Sequence, residues 1–220
     1  MEFIKIRDFI PLEHAFNNYI TLDRKYLHLS YLPLNESYNN FFDQLNQSIN
    51  TYKTVERLYF ETDFINSLPE KIIEFHNLTE LNVSGSRFWN LNLLNVPPTL
   101  KVLYLTEHSN FNSDCLLGMD KLINLKEIHL NAEAFFLDQL FMYPDRERNQ
   151  CDRNDIPIAN LPNLKIISFV YGGLKSKDEF LENWVELLKA DPLFSLINHR
   201  IDTITIEDDI VERITITLKI

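Results

Sequence analysis

An α/β solenoid is the fold this sequence predicts: a curved parallel β-sheet on the concave side, with helices and 3₁₀ turns on the convex side. Three observations predict it. One apolar pattern recurs, as Val55-x-x-Leu58-x-Phe60, Leu78-x-x-Leu81-x-Val83, Leu100-x-x-Leu103-x-Leu105 and Leu125-x-x-Ile128-x-Leu130. The copies begin at 55, 78, 100 and 125, intervals of 23, 22 and 25 residues, within the window of roughly 20–29 residues found where each repeat contributes one short strand. Within a copy, Leu103 and Leu105 face one side and Tyr104 the other, as a half-buried strand requires. One such strand cannot bury its own face, whereas copies stacked as a parallel sheet can. Finally, the 220 residues hold only 4 glycines. Neither G-x-G-x-x-G nor G-x-x-x-x-G-K-[ST] occurs, which removes the glycine-dependent nucleotide-binding folds.

Residues 2–6 (Glu-Phe-Ile-Lys-Ile) alternate like an edge strand, and Tyr26-Leu27-His28-Leu29 is an imperfect first copy of the pattern. Phe41, Phe42, Leu45 and Ile49 share one helical face and predict a helix over 37–50. After the strand at 58–60, Leu68 to Phe75 carries apolar residues at helical or 3₁₀ spacing for the return path. Wider-spaced copies stand at Leu164-x-x-Ile167-x-Phe169 and Ile201-x-x-Ile204-x-Ile206; starts at 125, 164 and 201 give gaps of 39 and 37 residues, which imply insertions. Segment 144–157 has no apolar periodicity, mixes both charge signs and is expected to be solvated. Ser176-Lys177-Asp178-Glu179 is a capping-box signal for a helix through about Ala190, stopped by Asp191-Pro192. Ile210-Val211 and Ile214-x-Ile216-x-Leu218-x-Ile220 predict a last strand that closes the apolar core. No Gly/Ser-rich linker divides the chain, so one domain is expected over 1–220. Its parts are an N-terminal cap and degenerate repeat over 1–54, regular repeats over 55–130, repeats with insertions over 131–206 and a closing strand over 207–220.

The stretch from Leu68-Pro69 to Asn77-Leu78-Thr79-Glu80-Leu81-Asn82-Val83 is similar to the L-P-x-x-(I/L)…N-L-x-x-L-x-(L/V) unit of leucine-rich-repeat proteins. Val96-Pro97-Pro98-Thr99-Leu100-Lys101-Val102-Leu103 resembles the P-P-x-L-x-x-L variant of short bacterial effector repeats. Clear matches cover about 55–130, with weaker ones across 24–206. At the ninth position, where that family carries Asn or Cys, this chain has Asp63, Ser86, His108, Glu133, Gly172 and Asp209, so no regular ladder of asparagines is expected there.

The resemblance also implies which side chains line the concave face. Position three places Tyr26, Arg57, Glu80, Val102, Glu127, Ile166 and Thr203 on it, and position five places His28, Tyr59, Asn82, Tyr104, His129, Ser168 and Thr205. Positions seven and eight add Glu61, Glu107, Tyr171, Glu207 and Asp208. Such a face is aromatic and acidic, with Arg57 its main cation. Tyr and His offer large contact area with a polar tip at low entropic cost, although any sheet face favours aromatic and β-branched residues. The candidate partner-binding residues are Tyr26, His28, Arg57, Tyr59, Glu61, Glu80, Asn82, Tyr104, Glu107, Glu127, His129 and Tyr171. Tyr59 and Tyr104 are the expected anchors, with Asn82 between them.

Charge narrows the partner. Lys+Arg number 21 against 32 Asp+Glu, a net 21 − 32 = −11. That disfavours nucleic acid, which needs cations against its phosphates, and suits a basic protein whose capture acidity accelerates. No apolar run reaches the roughly 18–20 residues that span a bilayer, and from its charged start no secretory signal is expected. Cys115 and Cys151 are expected as unpaired thiols, which favours a reducing, cytoplasmic setting. A small acidic module of this kind suits an immunity protein neutralising a basic toxin, or a bacterial effector docking on a host protein. A structural or assembly subunit is the alternative, and an enzyme with a repeat substrate arm, such as a ubiquitin ligase, is a lesser one.

Catalytic and cofactor signals are weak. The six histidines form no H-E-x-x-H or other close metal spacing. Asp145-x-Glu147-x-Asn149 lacks the glycine and closing glutamate of a calcium loop. Cys115 near His108 or His129, and the Glu107/Glu127 pair, read as a buried small hydrophobe and as solvated carboxylates. No cofactor, no metal and no enzymatic activity are expected.

Overall fold

Alternation of apolar and polar residues becomes sheet, and the 37–50 signal becomes helix. The computed structural model describes residues 5–6, 10–11, 20–23, 25–30, 38–61, 68–84, 93–106, 118–131, 161–170, 200–207 and 213–219. Strands β1 (Lys5–Ile6) and β2 (Ile10–Pro11) form a small antiparallel pair of their own. Of the edge strand expected at 2–6, residues 2–4 lie outside the described residues, and Lys5–Ile6 pairs with a partner only a few residues on, at little loop-closure cost.

Among the described residues the main sheet has nine strands and does not close on itself. They are β3 (Ile20–Asp23), β4 (Tyr26–Ser30), β5 (Arg57–Glu61), β6 (Glu80–Ser84), β7 (Val102–Thr106), β8 (Glu127–Asn131), β9 (Ile166–Val170), β10 (Ile201–Glu207) and β11 (Arg213–Leu218), with β3 and β10 at the two ends. From β4 to β9 each strand pairs in parallel with the next in the chain, without a shift of register. Leu27, Leu58, Leu81, Leu103, Ile128 and Ile167 thus stand in one row, each at most 1% exposed. Burying a side chain of this size stabilises the fold by about 1.5–3 kcal/mol, so this row holds the sheet on its return segments. The expected strands at 57–60, 80–83, 102–105 and 127–130 are all present and parallel.

The end of the sheet differs from the expected order. β11 pairs antiparallel with β9, and β10 pairs antiparallel with β11. The copy at 201–206 is thus displaced from the parallel array by the final strand, which lies inside the sheet and not at its edge. The physical reason lies in the chain: Ile201–Ile206 and Ile214–Leu218 are two alternating segments close enough to pair as antiparallel neighbours, and β11 then offers Ile216 and Leu218 to the core. Arg200 holds this end, its two guanidinium nitrogens donating to the carbonyls of Leu161 and Leu164 at 3.0 Å each.

The returns are held by bonds that recur from strand to strand. The carbonyls of Lys25, Glu56, Thr79, Lys101 and Lys126 each accept two amides from the start of the next strand. A tight turn precedes each of β6 to β9, Leu78 N to Phe75 O, Leu100 N to Pro97 O, Leu125 N to Leu122 O and Leu164 N to Leu161 O. Asparagines at the third turn position reach one strand back: Asn77, Asn124 and Asn163 donate through Nδ2 to Lys53 O, Pro98 O and Ile123 O at 2.6, 2.9 and 2.8 Å. An asparagine series therefore exists, beside the strand starts; the ninth positions lie outside the described residues.

Helix α1 (Tyr38–Ile49) covers the first strands, as its apolar face requires, and short helix α2 (Thr51–Thr54) follows it. Phe42 packs edge-on against Phe75 at 5.3 Å, Tyr38 edge-on against Phe60 at 4.9 Å and Tyr52 against Phe75 at 5.0 Å. Tyr52 also donates its hydroxyl to Asp43 Oδ1 at 2.9 Å. The helix expected from Ser176, the segment 144–157, Cys115, Cys151, Glu107 and Tyr171 lie outside the described residues.

Candidate functional site

Because side chains alternate along a strand, burying the leucine rows leaves a second set on the opposite face. Along Arg57–Glu61 the residues run exposed, buried, half-buried, buried, half-buried. Unshifted register lines up that second set across strands as two rows. One runs Tyr26, Arg57, Glu80, Val102, Glu127, Ile166; the other runs His28, Tyr59, Asn82, Tyr104, His129, Ser168. Asn82 stands between Tyr59 and Tyr104, as expected. Beyond Ser168 the neighbour is Thr215 of β11 rather than Thr205, which comes next after it.

Among the described residues two clusters stand on this face. At β4–β5, Arg57 lies over the Tyr26 ring at 5.3 Å, a cation–π contact. Burial raises the Tyr26 hydroxyl above its ordinary pKa; Arg57 opposes the shift and Glu80 adds to it. His28 meets Tyr59 edge-on, ring centroids 4.4 Å apart. Its Nε2 stands 3.6 Å from Glu61 Oε2, too far for a hydrogen bond.

At β7–β9 the second cluster is more tightly defined. His129 stacks on Tyr104 with centroids 4.5 Å apart and planes 14° from parallel. Its Nδ1 is 2.6 Å from Ser168 Oγ, and its Nε2 is 3.1 Å from Glu127 Oε2. A carboxylate accepts only, so the neutral ring carries its proton on Nε2 and donates to Glu127, while the Ser168 hydroxyl donates to Nδ1. Both ring nitrogens are thereby fixed. The order of groups matches a nucleophile–base–carboxylate relay, but the accessibility does not. Ser168 is 2% exposed, and the strands on both sides of it are paired, which occupies the backbone amides that an oxyanion hole would use. Ser168 positions His129, and His129 positions Tyr104.

Ser168 could have been marked out from its place in the position-five series, but nothing in the sequence tied it to His129. Among the described residues no group of three or more His, Cys, Asp or Glu is placed to hold a metal ion, and no helix is long and apolar enough to cross a membrane. No protein-family model, curated protein or solved structure matches the chain.

Proposed function

We propose that this chain is a leucine-rich-repeat solenoid acting as a non-enzymatic, cytoplasmic protein-binding module, and that its open sheet face docks a basic protein. The alignment of Tyr59, Asn82, Tyr104 and His129 in a single row carries the reading. Large rings with polar tips stand side by side there, prealigned by a packed sheet, so little ordering remains to be done on binding. Glu61, Glu80 and Glu127 surround the row. Their charge steers a basic partner and repels phosphate backbones. Neutralisation of a toxin by occlusion, or docking of an effector on a host protein, both fit this chemistry.

The test is binding kinetics with the partner recovered by affinity capture and mass spectrometry. Tyr59→Ala and Tyr104→Ala should each cost about 2 kcal/mol or more of affinity at such anchors, with unchanged thermal melts. Glu80→Lys should mainly slow association, an effect that fades as salt rises. Unchanged affinity in the tyrosine double variant refutes docking on this face.

A further inference from the structure

We propose that the rim where the parallel strands begin is a second docking surface, separate from the open face, and that it takes an acidic amphipathic helix of a partner protein. The residues just before β7, β8 and β9 are Lys101, Lys126 and Lys165. Backbone bonds tie them into a row: Lys126 N donates to Lys101 O and Lys165 N to Lys126 O, each at 2.8 Å. Lys165 O in turn accepts from Leu218 N at the end of β11, which brings Lys219 to the same rim. All four lysines are exposed. Among the described residues, the lysines paired with carboxylates are Lys25, with Glu56, and Lys71, with Asp43; the rim lysines are not among them. Glu127, next to Lys126, is engaged by His129 on the open face. In a chain of net charge −11, this row is a local reversal of sign that suits an anionic ligand.

An apolar strip runs beside the lysines. The second residues of the tight turns before β7, β8 and β9 are Pro98, Ile123 and Pro162, all exposed. Ile123 is 53% exposed, the most of any large hydrophobic side chain among the described residues. Asn124 donates to Pro98 O and Asn163 to Ile123 O, so the strip repeats in step with the lysine row. Adjacent apolar and cationic rows complement a helix with apolar and acidic residues on neighbouring stripes. Spacing favours a helix as well. The rows repeat once per strand, about 4.8 Å, and a helix lying across the strands presents one side chain per turn, about 5.4 Å. An extended segment presents one per face about every 6.6 Å. Over the two steps from Lys101 to Lys165 the helix drifts by about 1.2 Å, which lysine side chains absorb, and the extended segment by about 3.6 Å. A nucleic acid or an anionic bilayer would carry its phosphates beyond the rim onto the excess carboxylates, whereas a helix confines its charge to one stripe.

The experiment is fluorescence anisotropy of the full chain with a labelled helical peptide of about 18 residues, its glutamates one turn apart and its leucines on the adjacent stripe. About 0.1 M salt sets a screening length of about 10 Å, so the peptide feels the rim lysines more than remote carboxylates. It should bind saturably, and about fivefold or more tighter than a scrambled peptide or one with glutamine for each glutamate. Lys126→Glu combined with Lys165→Glu should weaken binding about tenfold or more, and Ile123→Ser about threefold or more. These side chains are exposed, so thermal melts should not change; Lys126→Gln, which removes one charge and reverses none, should weaken binding less. No saturable binding, equal binding of the scrambled peptide, or an unaltered affinity in the double lysine variant overturns the proposal. Tighter binding of single-stranded DNA or of phosphatidylserine vesicles overturns it too and gives the rim to phosphates. Tyr59→Ala and Tyr104→Ala should leave the peptide's affinity unchanged; a loss there would put the helix on the open face and overturn the assignment to the rim.

Discussion

Gly118 tests the stacking of the return segments on which the whole face depends. It precedes the 3₁₀ turn Met119–Lys121 with φ at 87°, a left-handed conformation. A Cβ placed there would lie 2.6 Å from Leu94 N and 2.7 Å from Leu94 Cδ2. Leu94 belongs to the preceding 3₁₀ turn, Leu93–Asn95. Its side chain can swing away, but its amide nitrogen is fixed by the backbone. Gly118→Ala should therefore suffer twice, by about 1–2 kcal/mol for a left-handed alanine and about 1–3 kcal/mol for overpacking. A total of about 3 kcal/mol corresponds to a melting temperature lower by roughly 6–12 °C in a domain of this size. Urea unfolding followed by circular dichroism should show a lower midpoint with an unchanged slope. Gly118→Asn tolerates the left-handed backbone yet keeps a Cβ, so it should recover only the conformational part. A change within about 0.5 kcal/mol for alanine, as for an ordinary surface site, or full recovery by asparagine, would mean that successive returns do not approach as described.

Ser168→Ala should leave His129 Nδ1 without its donor and cost about 1–2 kcal/mol. The imidazole ¹⁵N shifts of His129 should move, and unmoved shifts would mean that the bond is not formed in solution. Alkaline unfolding supplies another check, because burial, the Asp43 hydrogen bond and the charges of Asp43 and Glu74 push the Tyr52 hydroxyl upward, and burial raises Tyr26 too. Folded pKa values above the unfolded value of 10.0 mean that the unfolded chain ionises first. Their stabilisation is thus complete below pH about 10 and lost as pH rises beyond it. Melting temperatures from pH 8 to 11 should fall at the alkaline end, less steeply in Tyr52→Phe; identical slopes would refute the assignment to Tyr52.

The parallel strands are legible in the chain because two constraints act on the same residues. Leu81 and Val83 must face a core, and the interval to Leu103 and Leu105 leaves room for one return and nothing more. Helix α1 is legible for a similar reason, since Phe41, Phe42 and Leu45 have only one face to share. The displacement of 201–206 is not legible. Ile201-x-x-Ile204-x-Ile206 has the spacing of the parallel copies, and only competition from Ile214–Leu218 for the open edge of β9 decides its place. The asparagine series is intermediate: Asn77-Leu78, Asn124-Leu125 and Asn163-Leu164 are visible as a motif, but their acceptors, carbonyls one strand back, appear only once the strands stack.

The functional face divides along the same line. That Tyr59, Asn82, Tyr104 and His129 share a row follows from period two and unshifted register, both properties of the sequence. What each does within the row does not follow, because Ser168 lies 168 − 129 = 39 residues after His129 and meets it only through the β8–β9 pairing. That pairing changes the meaning of Glu127. Viewed along the chain it is one carboxylate among several that attract a basic partner; in place, it holds the imidazole on which Tyr104 rests. Reversing its charge would disturb steering and ring position together, so a loss of binding in Glu127→Lys could not be assigned to either. Glu80 is the better probe of steering and Ser168 of ring position. If the face works as a prealigned surface, the two variants should separate kinetically, Glu80→Lys acting on association and Ser168→Ala on dissociation.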